Sequence, residues 1–98
     1  MSIVIVGGNE CMIRKYRELC EEYRFKAKIY PKMNNGMKNI GNPDLLVLFT
    51  NTMSHKMLRS VQSEIKRQKI QVERSHTSSM SALKNILQKH IEGVTDNV

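Results

Sequence analysis

Hydrophobic residues fall along this chain in short blocks, and the spacing within each block predicts an element. The block that organises the others is Leu45-Leu46-Val47-Leu48-Phe49, opened by the turn Asn42-Pro43-Asp44 and followed at once by Thr50-Asn51-Thr52. A continuous apolar run this short reads as a strand buried on both faces, as in a parallel sheet covered by helices. Its polar exit is the first pointer to function, because open α/β sheets bind ligands beyond the carboxyl ends of their strands.

The flanking blocks fit the same scheme. Ser2 to Val6 is a β-branched run that stops at Gly7-Gly8, a strand followed by a tight turn. From Glu10 the period becomes helical: Met12/Ile13, Tyr16, Leu19/Cys20 and Tyr23 recur on one face, Asn9 is placed to cap, and the helix should end near Tyr23 or Arg24. Lys26 to Tyr30 alternates polar and apolar residues as a half-exposed edge strand does, and Pro31 closes it. Residues 33–41 are turn-rich, with room for a short helix around Gly36–Ile40.

After the central strand, Met57/Leu58, Val61 and Ile65 form a helical stripe with Ser54 or Thr52 available as cap, ending in the basic segment Lys66-Arg67-Gln68-Lys69. Ile70 to Glu73 reads as a fourth strand with the polar exit Arg74 to Ser79. A last helix carries Met80, Leu83, Ile86/Leu87, His90 and Ile91 and would be capped at Gly93. One domain over 1–93 with a frayed tail at 94–98 is expected.

This order of elements is that of a truncated doubly wound α/β domain. Right-handed crossovers give a three-layer, four-stranded parallel sheet of order 2-1-3-4 flanked by helices. The topological switch then falls between the first and third strands, where Gly7-Gly8-Asn9 and Thr50-Asn51-Thr52 face each other. Four strands leave open edges. The wide apolar stripe of the last helix suggests more surface than the sheet can cover, so a two-fold homodimer through that helix and the fourth strand is expected.

Composition alters this picture little. In 98 residues the formal net charge is +7, but the bases lie in separate stretches, without Trp and without an aromatic-interleaved basic run. Solvated helix faces with one anion pocket are therefore favoured over nucleic-acid binding. Cys11 and Cys20, nine apart on one helix, are too distant to pair and point to a reducing, cytoplasmic setting. No segment approaches transmembrane length and no leader precedes the first strand, so no membrane association is expected.

Three polar exits supply the candidate chemistry. Gly7-Gly8-Asn9 opening a helix is half of a phosphate-binding turn, without the further glycines or the acidic ribose partner of a dinucleotide site. Thr50, Asn51, Thr52, Ser54 and His55 lead into one helix, and Arg74, Ser75, His76, Thr77, Ser78 and Ser79 lead into the next, with Lys56 adding charge. Any one of these could serve only as a cap; their convergence on one sheet edge points to a pocket for a small anionic or nucleotide-type ligand. Cys11, His55 and His76 are candidate ligands for a metal or haem iron at the same edge. His90 reads as structural. An enzyme ranks last, because Cys11 or a loop serine with His76 as base lacks an orienting acid.

Three motifs in order, Ile3-Val4-Ile5-Val6-Gly7-Gly8-Asn9, Asn42 through Met57, and Arg74 through Leu83, are similar to those of domain-of-unknown-function family 2325, bacterial proteins matched over nearly the whole chain. The resemblance implies a small Rossmann-like α/β domain and no settled reaction. In that family His often follows the glycine pair, where this chain has Asn9. A metal or haem role for such a His does not carry over to this position.

Overall fold

The computed structural model describes residues 1–31 and 41–95, with side chains described through His90. Strand β1 (Ser2–Gly7) leads through a 3-10 turn (Glu10–Met12) into helix α1 (Ile13–Glu22), and β2 (Lys26–Tyr30) follows. Strand β3 (Leu45–Phe49), a 3-10 turn (Thr50–Thr52), helix α2 (His55–Gln68), β4 (Val72–Ser75) and helix α3 (Met80–Thr95) complete the order. Among the described residues all strand pairs are parallel and the sheet runs β2-β1-β3-β4, the expected α/β topology. The possible helix at Gly36–Ile40 lies outside the described residues.

The sheet divides the interior in two. Ile3, Ile5, Leu45, Val47 and Phe49 face α1 and α3, where Tyr16, Cys20, Leu83 and Leu87 meet them. Val4, Val6, Leu46 and Leu48 face α2, where Met57 and Val61 cover them. All five residues of β3 are at most 1 % exposed, as its continuous apolar run requires. Its entry is clamped: Asp44 Oδ2 accepts the Ser2 backbone N–H at 2.7 Å, and Ser2 Oγ accepts the Asp44 N–H at 3.2 Å.

Three expectations require correction. Strand β4 is displaced two residues from Ile70–Glu73. Lys69 closes α2 in the left-handed region (φ 50°), Ile70 is buried beneath that helix, and the Gln71 carbonyl already accepts the Leu46 N–H. Pairing of β4 therefore begins at Val72, and Arg74 and Ser75 belong to the strand itself. Gly93 does not end the last helix, which continues to Thr95. The described core of the α3 stripe is not surplus surface: Leu83 and Leu87 are fully buried and Ile86 is 9 % exposed, all within one chain, while the Ile91 side chain lies outside the described residues. The argument for a dimer through these side chains therefore fails, because they pack against α1 and β3.

His90 Nε2 lies 3.3 Å from Glu73 Oε1, which also receives Lys89 Nζ at 3.4 Å, so this histidine ties α3 to the edge of the sheet. Among the described residues no helix is long and apolar enough to cross a membrane.

The buried stripe carries a prediction. Leu83→Ala removes contacts inside the domain and should lower unfolding free energy by about 2–5 kcal/mol. Urea unfolding would register this as a fall in midpoint that does not depend on protein concentration.

Candidate functional site

The carboxyl ends of β1, β3 and β4 open on one side of the sheet, and the loops that leave them are hydrogen-bonded to one another. Gly7 and Gly8 turn the chain out of β1 with φ of 88° and 96°, a region that residues with a Cβ rarely adopt. Space imposes the same choice. A Cβ on Gly7 would stand 2.8 Å from the Phe49 carbonyl oxygen and 2.8 Å from Thr52 Oγ1.

This closeness puts the Gly8 N–H 2.6 Å from Thr52 Oγ1, which itself donates to the Phe49 carbonyl at 3.0 Å. The next donors are also engaged. The Asn9 N–H reaches the Tyr16 hydroxyl at 3.3 Å, and the Cys11 N–H is capped by Asn9 Oδ1 at 2.9 Å. The glycine turn has the shape of an anion cradle, but Thr52 supplies the oxygen that an anion would.

The third loop is drawn in from two directions. Thr50 Oγ1 donates to the Ser75 carbonyl at 3.2 Å and stands 3.4 Å from His76 Nδ1. Tyr16, fully buried, donates its hydroxyl to the Ser78 carbonyl at 2.5 Å while its ring lies 5.5 Å from that of Phe49. Tyr16 is the residue that sequence reasoning missed. The helical period marks it only as one more apolar position of α1, although a phenol on an aliphatic stripe needs a buried hydrogen-bond partner.

The remaining candidates divide by role. Ser54 and Ser79 are helix caps, accepting from Met57 N at 3.1 Å and Ala82 N at 3.2 Å. Ser75 Oγ folds back on Thr77, donating to its carbonyl and accepting its N–H. Arg74 is exposed in β4, in register with Leu48 on the α2 side of the sheet, below the loops. Asn9, Asn51, His55, Lys56, His76 and Thr77 are exposed around the rim.

Among the described residues no three His, Cys, Asp or Glu side chains gather as a metal site, so Cys11, His55 and His76 do not form one within the chain. The only histidine–carboxylate pair there is His90–Glu73, which belongs to α3 and β4. At the opposite end of the sheet, a cavity of about 340 Å³ is lined by Ser2, Val4, Lys26, Lys28, Asn42 and Pro43. Sequence reasoning placed nothing there.

The geometry is thus that of a small doubly wound α/β domain with a polar, self-bonded rim at its topological switch. The chain belongs to the family described as uncharacterized protein conserved in bacteria (DUF2325), whose family model matches residues 2–90. Comparison with curated proteins and with solved structures returned no match to either.

The two cysteines should separate cleanly. Cys11 is exposed, whereas burial, with Glu21 adding to it, pushes the Cys20 thiol up to about 11. Near pH 8 an aromatic disulfide reagent should label one thiol per chain rapidly and the second only on unfolding, and Cys11→Ser should remove the fast phase. The folded chain holds the Cys20 proton more tightly than the unfolded one. Its contribution to stability is complete below the ordinary thiol pKa of 9.0 and is lost as pH rises through about 11.

Gly7→Ala tests the turn. Strain and the clash with a backbone carbonyl should together cost about 2–4 kcal/mol, read as a lower melting temperature than that of a Gly41→Ala control. At Gly41, also at positive φ, an added Cβ meets no atom of the described residues within 4 Å.

Proposed function

We propose that this domain binds a small anionic, phosphate-bearing ligand at the joined loop edge and does not transform it. The observation that carries the reading is the Gly8 N–H···Thr52 bond. A backbone donor at a glycine turn is there satisfied by a hydroxyl that a ligand oxygen can replace. The ligand would take the place of Thr52 Oγ1 at Gly8, with Asn9, Asn51 and His76 exposed around it and Lys56 contributing charge from the first turn of α2. His76 already shares Thr50 with the Ser75 carbonyl, so anion contact and the position of the third loop would be coupled.

Binding is favoured over catalysis because neither His55 nor His76 has a carboxylate partner among the described residues, and an acid–base relay needs one. For assembly the reading is a homodimer across the open edge of β4, with the Ser75–Ser79 loops near the two-fold axis. A monomer mass by light scattering at micromolar concentration would remove it.

The ligand reading is tested by thermal shift and calorimetry with inorganic phosphate, nucleoside mono- and diphosphates, and sugar phosphates. At least one should raise the melting temperature at millimolar concentration or below. His76→Ala should weaken that compound about tenfold, which is about 1.4 kcal/mol, at unchanged stability. Thr52→Ala, by freeing the Gly8 N–H, should tighten it. No response to any of these compounds, with protein that carries no metal and develops no Soret band of bound haem on haem addition, would leave this edge as structural capping alone.

A further inference from the structure

The fold gathers basic side chains that are dispersed in sequence. Along α2 and its cap the exposed charges are Lys56, Arg59, Lys66, Arg67 and Lys69. The one acid of the segment, Glu64, is buried and held by Gln68 at 3.5 Å and Arg67 at 3.5 Å. At 3.6 residues per turn, positions 56, 59, 63, 66 and 67 fall within about 100° of arc, turned away from the buried Met57 and Val61. Arg74, in register with Leu48, adds an exposed guanidinium on the same side of the sheet.

The opposite face differs. On α1 the exposed Arg14, Lys15 and Arg17 are interleaved with Glu18, Glu21 and Glu22, and Arg14 pairs with Glu18 at 3.5 Å. On α3, Lys89 is engaged by Glu73. Among the described residues, then, and with Lys84 the other exposed base of α3, the excess of positive charge lies largely on the α2 side.

From this we infer that the outer face of α2 with Arg74 is a docking surface for the phosphate backbone of duplex nucleic acid. The stripe from Lys56 to Arg67 is about 16 Å long, close to five base-pair steps of about 3.4 Å, and serines at 60 and 63 keep its middle low. Other partners fit less well. Met1 is the only exposed large hydrophobic among the described residues, so the face offers no wedge for a bilayer and no apolar anchor of a protein interface. It offers no exposed aromatic either, and single strands are held largely by stacking on such rings. What remains is a row of point charges, which binds phosphates without reading bases.

The full chain is titrated against a fluorescein-labelled duplex of arbitrary sequence, ~20 base pairs long, by anisotropy from roughly 50 to 200 mM salt. With about four phosphates engaged, log K should fall against log salt with a slope near −3.6, on the order of a hundredfold over that range. Arg59→Glu with Lys66→Glu should weaken binding more than about tenfold, and Arg59→Gln with Lys66→Gln less steeply. Lys15→Glu with Arg17→Glu, equal in net charge but on α1, should stay within about twofold of the parent. Absence of salt-dependent binding overturns the inference, as does an equal loss in the α1 variant, which would mark a net-charge effect. Tighter binding to vesicles containing phosphatidylserine would assign the face to a membrane surface, and tighter binding to the matching single strand would remove the duplex.

Discussion

A strand whose side chains are all apolar cannot tolerate water on either face or an unpaired edge. Burying Leu45 to Phe49 completely obliges the chain to supply a neighbour on each side and a helical layer above and below. The rest of the architecture is a response to that demand. Strand β1 pairs on one side and β4 on the other, α1 and α3 cover one face, and α2 covers its described part of the other. The Ser2–Asp44 clamp sets the register at the entry, and the Gly7–Thr52 approach sets it at the exit. The four strands and three helices of the described residues are close to the smallest set that can enclose such a strand.

The same geometry decides what the polar loops do. Strands that end together bring their exits together, and the backbone groups released there need partners whether or not a ligand is present. Thr50, Thr52, Tyr16 and the two capping serines supply several of those partners. A ligand of the proposed kind would therefore exchange hydrogen bonds at this rim, one external oxygen for one internal oxygen, rather than fill an empty bowl. Such exchanges contribute modestly to affinity and strongly to selectivity, because the incoming group must match a position already defined.

Most of the fold was legible because apolar periodicity and turn chemistry agreed. The β3 run, the alternation of Lys26 to Tyr30 and the glycine pair each specify one local structure, and chirality then fixes strand order. What was not legible depended on distance in space. Strand β4 begins two residues later than its apolar pair suggests because Ile70 is recruited to cover α2. The α3 stripe looked too wide for the sheet because the contribution of Tyr16 and Cys20 to its groove is invisible in one dimension. For the rim, residue types identified the edge and the capping serines. Nothing in the sequence indicated that Thr52 would close on Gly8, since that bond spans 44 positions. The asymmetry of charge was hidden in the same way, by helices that place interleaved acids on one side and few on the other.

The bond from Tyr16 to the Ser78 carbonyl joins residues 62 apart in sequence. Helix α1 is made early in synthesis, yet the groove that receives Tyr16 is closed only by the last quarter of the chain. A nascent chain that stops short of α3 would therefore expose Tyr16, Cys20 and the inner face of β1 at once, and parallel pairing adds its own delay because every partner lies across a crossover. Biogenesis of this domain hinges on a late, near-simultaneous closure, and the interval before it is when the polypeptide is most open to aggregation or to capture by a chaperone.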